Sequence, residues 1–389
     1  MKHQNLFRIK QIKKTLKFLS GGSDDILCSA KLNHTARTEC NNIIKNNIKN
    51  IQCNNNNKCF INDAELITEK IGSGANGEIF AISINISNES YTFVLKKGKI
   101  NTDILIQGLL DNNNVFANSP HFLYYYQNNN NLLILEKANG SLTTLFKDTN
   151  LNDPDIMNIF CQIFIAIYTY HKYIGYYHDD TKLDNILYIK NDTTNTIIYK
   201  FNEYIYILPK TNYIVVLADF GNSSEMNYLI SKDFYFTAVI NDYIYAINSF
   251  IDNFFHKINK NISKFLIDLY NICLDTDDEI KVYYNQHKTI SIQILSYYEK
   301  EFIKNIFDLF IKNEIIINNN TDQYTNYNAY NLIFDNPNNS INVKNTKEII
   351  MLKTLFQNNE YKNLEKDRTG FREIERIKNY QKNKKYIKI

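Results

Sequence analysis

Residues 178–185 read His178-Asp179-Asp180-Thr181-Lys182-Leu183-Asp184-Asn185, and Asp219-Phe220-Gly221 follows further along the chain. The first stretch has the form H-x-D-x-K-x-x-N, which places an acid, a lysine and an amide on one short loop. Phosphoryl transfer from a nucleotide requires few protein groups: a carboxylate that orients the acceptor, oxygen ligands for a cation, and cations that bind phosphate. The two stretches contain these groups and indicate a site for phosphoryl transfer.

A glycine-rich stretch lies upstream and reads Ile71-Gly72-Ser73-Gly74-Ala75-Asn76-Gly77-Glu78-Ile79. It has the form G-x-G-x-x-G-x-V, with Ile79 in the place of valine, and its glycines let a backbone turn approach a triphosphate closely. Dinucleotide-binding folds share part of this pattern, but there it leads into a helix with an acid about 20 residues later. Here it leads into two strand-like segments, 78–83 and 91–96, which favours a triphosphate-binding loop between strands.

These motifs, in this order, resemble the signature of the eukaryotic-type protein kinase superfamily, which includes H-R-D-L-x-x-x-N and D-F-G. The resemblance implies an α+β, bilobal protein-kinase-like fold, with a small β-rich N-lobe that has one main helix and a larger, mostly helical C-lobe. It implies ATP and Mg²⁺ as cofactors. It also implies the activity of a serine/threonine-protein kinase, which transfers the γ-phosphoryl group of ATP to protein hydroxyls.

The resemblance further implies a role for each matched residue. Asp180 is the catalytic base that orients the acceptor hydroxyl, and Lys182 neutralises charge on the transferred group, as is typical of serine/threonine specificity. Asn185 and Asp219 are the Mg²⁺ ligands. The glycine-rich stretch contributes a set of ATP-binding residues, which are Ile71, Gly72, Ser73, Gly74, Ala75, Asn76, Gly77, Glu78 and Ile79.

The segment Phe93-Val94-Leu95-Lys96 resembles the V-A-I-K strand, so we expect Lys96 to bind the α- and β-phosphates of ATP. Lys97 is the alternative if the register differs by one residue. The family pairs this lysine with a Glu on a helix, but no Glu occurs between Glu89 and Glu136. Asp103 is the candidate partner of Lys96. The other interpretation is that Asp103 is a helix N-terminal acid, favoured by the helix dipole.

The segment Leu132-Leu133-Ile134-Leu135-Glu136 resembles the strand that enters the hinge between the two lobes. By this match Leu135 is the gatekeeper, and the backbones of Glu136 and Ala138 bind the adenine edge of ATP. A plain strand, turn and helix is the competing interpretation of the same segment.

The region around the catalytic loop departs from the family. Asp179 stands where the family has an Arg that receives the phosphate of an activation loop, and residues 41–367 contain no Arg. Between Gly221 and Asn241 there is no A-P-E and no Pro, and a helix with its acid at Asp242 is expected to open at Asn241. We therefore predict a short activation segment that requires no phosphorylation.

These matches predict a division of the chain into three parts. Residues 1–63 are expected to be an N-terminal extension, partly flexible, with an Asn-rich stretch at 41–58; residues 64–140 are the N-lobe with the hinge. Residues 141–389 are the C-lobe, with a hairpin insertion at about 195–213 and a C-terminal helical, basic tail. This hairpin and the residue usage are similar to divergent kinases of large AT-rich DNA viruses, giant-virus-like or poxvirus-like.

Composition limits the other classes of function. Hydrophobic residues make up 44% of the chain, which is typical of a globular protein, and a net charge of +3 is too small to indicate nucleic acid or membrane binding. We expect a protein substrate, no membrane span and no secretory signal, hence an intracellular protein, in the host cytoplasm or virion if the source is viral. The six cysteines contain no C-x-x-C, and reduced thiols are expected. The sequence indicates neither the physiological substrate nor the oligomeric state.

Two other functions fit parts of the same pattern. A pseudokinase scaffold would keep the fold without activity. The missing A-P-E favours it, and so does the shorter Asp103 in place of the family's Glu on the helix. A small-molecule phosphotransferase shares an H-x-D-x-x-x-x-N loop and also lacks A-P-E. The complete glycine-rich loop, the D-F-G motif and Lys182 favour a protein kinase over both.

Overall fold

The structure is a computed structural model that describes residues 34–48, 51–53, 59–61, 64–74, 77–86, 89–113, 115–129, 132–190, 196–201, 204–208, 212–225, 235–287, 292–318 and 330–331. The basic N-terminal and C-terminal segments and the centre of the expected short activation segment lie outside these residues. Among the described residues, none of the helices has the length and apolar character needed to span a bilayer.

The first part of the chain is built mainly from strands. Its elements in chain order are α1 His34–Asn47, β1 Gln52–Cys53, β2 Cys59–Ile61, β3 Ala64–Glu65, β4 Ile67–Gly74, β5 Gly77–Ile86, β6 Glu89–Gly98, α2 Asn101–Asn112, α3 Val115–Asn118, β7 Tyr125–Asn129 and β8 Leu132–Glu136. Strands β4 to β8 form one antiparallel five-stranded sheet in the order β4-β5-β6-β8-β7.

The alternation of side chains along this sheet separates two environments. Phe80, Ile82 and Ile84 of β5 pair with Leu95, Phe93 and Tyr91 of β6, and all six are buried on one face. Helix α1 covers that face. Lys96 follows Leu95, so its side chain points to the opposite face of the sheet, where α2 packs.

The second part of the chain is mostly helical. Its elements are β9 Gly140–Ser141, α4 Leu142–Asp148, α5 Asp153–Ile174, β10 Tyr176–Tyr177, β11 Ile186–Lys190, β12 Ile197–Phe201, β13 Tyr204–Leu208, β14 Tyr213–Leu217, β15 Ser224–Glu225, α6 Tyr235–Phe254, α7 Lys260–His287, α8 Ile292–Lys312, β16 Ile317–Asn318 and β17 Tyr330–Asn331. The fold is therefore mixed α+β, with an N-terminal antiparallel sheet and a mostly helical C-terminal part, which is consistent with a kinase-like bilobal fold.

Helix α5 delivers the chain to the loop at residues 178–185. It begins with a capping box, in which the Asn152 side chain accepts from the backbone N–H of Asp155 at 2.8 Å, and Pro154 occupies its first turn. It ends at Gly175, whose φ of 71° is left-handed and favours glycine. Most of its side chains between these ends are buried, so the helix forms the centre of the large core.

Two observations differ from the sequence-based expectations about helices. Helix α6 begins at Tyr235, before the expected start at Asn241, so Asp242 lies inside the helix. Part of the Asn-rich stretch, which was expected to be flexible, is helical through Asn47, because Ile44 and Ile48 are fully buried against the sheet. Within this polar segment, Cys40, Ile44 and Ile48 are spaced four residues apart and form a narrow buried apolar stripe.

The cysteines also differ from expectation. Cys40 and Cys59 are disulfide-bonded, whereas Cys161 and Cys273 are buried free thiols. Burial raises the pKa of both free thiols, which disfavours the reactive thiolate. The expectation of reduced thiols is therefore wrong for Cys40 and Cys59.

Strands β12 and β13 pair as an antiparallel hairpin between the loop at residues 178–185 and Asp219. Tyr199 of β12 is fully buried, and its hydroxyl bonds to Nε2 of His121 at 2.8 Å. The other ring nitrogen of His121 donates to the carbonyl of Val215 at 2.7 Å. Burial lowers the pKa of His121 to about 4, so the neutral imidazole joins the hairpin to β14.

Candidate active site

A buried carboxylate holds the loop at residues 178–185. Asp242 of α6 is 2% exposed and accepts hydrogen bonds from the backbone N–H groups of His178 at 2.8 Å and Asp179 at 2.9 Å. Nε2 of His171 bonds to the same carboxylate at 2.7 Å, and the Thr181 hydroxyl donates to the backbone carbonyl of Asp242. These bonds replace the water that the carboxylate loses on burial, and they fix the backbone of the loop.

Asp180 lies at the centre of a second set of contacts. Its Oδ2 accepts from Nζ of Lys182 at 2.7 Å, from Nδ2 of Asn185 at 2.7 Å and from Nδ2 of Asn222 at 3.3 Å. The hydrogen bond to Asp180 raises the pKa of Lys182, which therefore stays protonated. Since all three donors use one oxygen, Oδ1 of Asp180 is left for a further partner.

Lys96 lies between two carboxylates. Its Nζ is 2.9 Å from Oδ2 of Asp103 and 2.7 Å from Oδ1 of Asp219. Burial by itself would lower the pKa of Lys96, but the two carboxylates raise it, and the resulting pKa lies above the ordinary value. The other oxygen of Asp103 accepts from the backbone N–H of Phe220 at 3.0 Å. Asp103 thus contacts both the lysine and the Asp-Phe-Gly turn, and Lys96 rather than Lys97 makes these contacts.

The Asp-Phe-Gly turn is held by its central aromatic residue. Phe220 is buried and stacks on Tyr170 of α5, with the ring centroids 5.2 Å apart. Nε2 of His178 donates to the carbonyl of Ala218 at 3.0 Å, and this bond attaches the turn to the loop at residues 178–185. Asp219 has a left-handed φ of 60°, which directs its side chain away from the strand toward Lys96.

The described residues of the glycine-rich stretch lie at the end of β4 and the start of β5. Gly74 pairs with Gly77, and Ile79 pairs with Lys96 of β6, so the start of β5 lies beside the lysine. Gly77 has a φ of 149°, and a Cβ at this position would lie 2.1 Å from the carbonyl oxygen of Lys97, so a larger residue would displace the strand. The expected binding residues Ala75 and Asn76 lie outside the described residues.

The remaining residues of this stretch divide between the strands. Ile71 and Ser73 are exposed, Gly72 is half-buried, and Glu78 forms an ion pair with Lys70. Ile71 is 47% exposed, which leaves an apolar side chain at the edge of the turn.

The end of β8 pairs with β6, the strand that carries Lys96. Leu135 and Glu136 are buried, and the backbone N–H of Glu136 donates to the carbonyl of Tyr124 at 2.9 Å. Ala138 is half-buried against the large core, and the chain then continues into β9. Glu136 therefore belongs to both the sheet and the connection between the two parts of the molecule.

The structure thus brings most of the candidate residues together. Lys96, Asp103 and Asp219 are in direct contact, and Asp180, Lys182 and Asn185 form the adjoining group. The backbone N–H of Ala218 donates to the carbonyl of Asn185 at 3.1 Å and joins the two groups.

Asn185 and Asp219 offer suitable ligands for a hard cation. The amide nitrogen of Asn185 donates to Asp180, which leaves its carbonyl oxygen for a cation, and the side chain of Asp219 is 41% exposed. Within the described residues, no three or more His, Cys, Asp or Glu residues are grouped so as to hold a metal. Two protein oxygens fit Mg²⁺ bound together with nucleotide phosphates and water rather than a closed protein cage.

Sequence reasoning did not identify two groups of contacts. Arg37 and Asn41 of α1 bind the carboxylate of Glu136, which is about 100 residues away in the chain. The signal that could have found Arg37 is its rarity, since residues 41–367 contain no other Arg. Asn222 binds Asp180 from just beyond the Asp-Phe-Gly turn, and an amide at this position carries no signal of its own.

Asp179, which stands in the place of the family's Arg, has a specific partner. The Ser224 hydroxyl donates to its carboxylate, and β15, which contains Ser224, pairs with β10 before the loop. Ser224 and Glu225, just after the Asp-Phe-Gly turn, are thus attached to Asp179 by a hydroxyl and to β10 by a short strand pair.

Comparisons with known proteins give one distant relative of the chain. No family model matches the chain. The chain is similar to the "Probable serine/threonine-protein kinase 380R" of Invertebrate iridescent virus 6, with 24% identity over 267 residues. The match covers 58% of this chain and 51% of the viral protein, so the chain spans about half the length of that relative. The chain is therefore a distant homologue of a viral probable serine/threonine-protein kinase, and this homology supports its place in the protein kinase superfamily.

Proposed function

We propose that the chain is an ATP- and Mg²⁺-dependent serine/threonine-protein kinase. The observation that carries the proposal is a connected set of contacts: Lys96 binds Asp219, the neighbouring Ala218 donates to the backbone of Asn185, and Asn185 binds Asp180. Lys96, the loop with Asp180 and Asn185, and Asp219 come from three separate parts of the sequence, yet direct contacts and one backbone hydrogen bond connect them. An amine, an amide and two acids in this arrangement are the groups that phosphoryl transfer requires.

Each residue then has a role that its contacts support. Lys96 would bind the α- and β-phosphates, since its raised pKa keeps it charged, and Asp103 would orient it. Oδ1 of Asp180 would accept the hydrogen of the acceptor hydroxyl, because Oδ2 is already bound by Lys182 and Asn185. Lys182 is 41% exposed and can also reach charge on the transferred group.

The nucleotide would lie between the glycine-rich turn and the loop at residues 178–185. The residues from Ile71 to Ile79 would cover the phosphates, and the backbones of Glu136 and Ala138 would contact the adenine edge. Asn185 and Asp219 would hold Mg²⁺, which supplies charge neutralisation for the β- and γ-phosphates when it is bound. On this proposal residues 64–140 form the N-lobe, residues 141–389 form the C-lobe, and residues 1–63 form an N-terminal extension.

Three further parts of the proposal concern the setting of the reaction. The acceptor would be a serine or threonine hydroxyl of a protein, which the similarity to a viral probable serine/threonine-protein kinase supports. The hairpin of β12 and β13 would be an insertion relative to other kinases. The protein would act inside a cell, in the host cytoplasm or in the virion if its source is viral.

The test is transfer of the γ-phosphoryl label of Mg-ATP to generic protein acceptors by the wild type and by Asp180→Asn. We expect the variant to transfer about 10²- to 10⁴-fold more slowly, because it loses the proton-accepting carboxylate. Asp184→Asn is the matched control, since Asp184 is exposed on the same loop and lies outside the fixed positions of the motif. Acid hydrolysis of the labelled protein should release phosphoserine and phosphothreonine.

Several outcomes would contradict the proposal. Nucleotide binding without transfer would indicate a pseudokinase, and label found in small molecules but not in protein would indicate a small-molecule phosphotransferase. Full activity of Asp180→Asn would show that the assignment of the base is wrong. Label on tyrosine alone would exclude serine/threonine specificity.

A further inference from the structure

The carboxylate of Glu136 is buried at the end of β8, with the side chain 1% exposed. It accepts hydrogen bonds from four donors: Nε of Arg37 at 3.1 Å, Nη2 of Arg37 at 2.6 Å, Nδ2 of Asn41 at 3.2 Å and the backbone N–H of Tyr124 at 3.0 Å. Removing a carboxylate from water is costly unless it is paired and hydrogen-bonded. Arg37 supplies the charge and a two-pronged contact, which fixes the carboxylate in both direction and distance.

The same guanidinium also binds the backbone of a neighbouring segment. Nη1 of Arg37 donates to the carbonyl of Pro120 at 3.2 Å, and Nη2 donates to the carbonyl of Phe122 at 2.9 Å. A lysine has one ammonium group and lacks the planar fork, so it could not make this set of bonds from one position. Arg37 therefore holds the hinge strand and the segment of residues 120–122 at fixed positions relative to each other.

The segment of residues 120–122 contacts the strand that precedes Asp219, one of the two candidate metal ligands. The backbone N–H of Leu217 donates to the carbonyl of His121 at 3.0 Å, and Phe122 forms a β-bridge with Leu217. Leu217 ends β14, two residues before Asp219. Arg37 thus binds the side chain of Glu136 directly. It also binds the backbone of the segment that contacts β14, the strand before Asp219.

We propose that Arg37 of the N-terminal extension is a positioning residue of the nucleotide site. It holds Glu136, whose backbone we assign to the adenine edge, in register with the strand that carries Asp219. This inference rests on the proposed function, since it names what holds the adenine end of the same site. On this inference helix α1 contributes to the nucleotide site, although the helix precedes every kinase-like motif in the sequence.

The attachment of helix α1 does not depend on Arg37 alone. Ile44 and Ile48 are fully buried in the core on the far face of the sheet, together with Phe93 and Leu95. A change at position 37 should therefore leave the helix docked while the polar contacts to the hinge are lost. This separation allows the positioning role to be tested apart from folding.

The experiment measures binding of Mg-ATP by titration calorimetry, and kcat and KM for ATP, in wild type, Arg37→Lys, Arg37→Ala and Glu39→Gln. Arg37→Lys keeps the charge but loses the fork, and we expect Kd and KM for ATP to rise about tenfold, with kcat within about twofold of wild type. Arg37→Ala should show a larger rise. Glu39→Gln is the matched control, because Glu39 is exposed on the same helix, and it should behave as wild type.

Thermal unfolding without nucleotide accompanies each variant, and Arg37→Lys remains informative if Arg37→Ala does not fold. Unchanged Kd and KM in a folded Arg37→Lys variant would overturn the inference and leave the proposed function intact. An equal fall in kcat and in the fraction of folded protein, with KM unchanged, would show that Arg37 has a structural role alone. A wild type that binds no Mg-ATP would overturn the proposed function itself, and this inference with it.

Discussion

The sheet and the loop at residues 178–185 differ in how far their charges are exposed. The sheet wall, which we define as Lys96 and Asp103 on one face of the sheet and Arg37 and Glu136 on the other, buries its charges in pairs, and the side chains are between 1% and 12% exposed. The loop wall, which we define as Asp179, Asp180, Lys182 and Asp219, leaves Lys182 and Asp219 each 41% exposed. Buried pairs are interdependent, whereas exposed charges remain available to substrate, metal and water.

The placement of arginine shows the same difference. Among the residues that the structure describes, Arg37 is the one arginine, and it lies in the sheet wall. The loop wall has Asp179 where the family has an arginine, and Asp179 accepts a hydrogen bond from Ser224. Within the described residues, a buried guanidinium therefore stabilises the sheet wall, whereas a hydroxyl binds Asp179 in the loop wall.

The largest expected effect comes from breaking a pair in the sheet wall. Arg37→Ala leaves the Glu136 carboxylate buried without its cation, and we expect the free energy of unfolding to fall by about 3–5 kcal/mol. Replacing both partners, as Arg37→Met with Glu136→Leu, should restore most of this loss, because the buried charge is removed as well. Urea unfolding of wild type, the single variant and the double variant measures the difference; equal losses in both variants would contradict it.

The second prediction concerns Lys96, which connects the two walls. Lys96→Met removes the amine between Asp103 and Asp219, and we expect phosphoryl transfer to fall about 10²- to 10³-fold, since one preorganised electrostatic contact is lost. Lys97→Met is the control, because consecutive side chains of a strand point to opposite faces. Initial rates with labelled ATP measure both, and a greater loss in Lys97→Met would favour the alternative register.

The third prediction uses pH to test His121, which is buried between Tyr199 and Val215. The folded protein keeps the imidazole neutral with a pKa of about 4, whereas the unfolded chain binds a proton near pH 6.5. Between these values the unfolded state binds more protons, so the free energy of unfolding decreases as pH falls from 6.5 to 4, by about 3 kcal/mol.

The variant His121→Gln isolates this contribution, because it lacks the titrating group while the carboxylates stay the same. Urea unfolding at a series of pH values between 7 and 4 should give a smaller decrease in the variant than in wild type. An identical pH dependence for the two proteins would show that His121 is not kept neutral by burial.

The smallest expected effect lies in the loop wall. Ser224→Ala removes an exposed hydrogen bond to Asp179, and the free energy of unfolding should change by less than about 1 kcal/mol. If the activation segment requires no phosphorylation, as we predict from the sequence, treatment of wild type with phosphatase should leave its transfer rate unchanged. A loss of activity on phosphatase treatment would show that a phosphorylated segment orders the loop after all.

The local parts of the site could be predicted from the sequence. The spacing of Asp180, Lys182 and Asn185 places them on one loop, and a strand that contains Lys96 follows from the alternation before it, although the strand continues to Gly98. The structure has a helix over Asn101–Asn112 where the spacing around Asp103 indicated one. These properties depend on residues that are close in the chain, and local backbone geometry is what sequence patterns record.

The exact partners of these residues could not be predicted in the same way. The sequence left Asp103 open between a partner of Lys96 and a helix N-terminal acid, and the contact at 2.9 Å to Lys96 appears once α2 packs beside β6. The start of α6 at Tyr235 also differs from the expected start, because helix ends depend on neighbouring contacts as well as on periodicity.

The sequence by itself determined which chemical groups are present, in what order, and on which face of a strand or loop each lies. The tertiary structure alone decided that Arg37 binds Glu136, that Asp242 holds the loop, and that Lys96 meets Asp219. The physical reason is that spacing along the chain sets the direction of a side chain relative to its own element. The packing of distant elements determines which partner a charged side chain binds. A partner is required because a buried charge that is not paired or hydrogen-bonded carries a large desolvation cost.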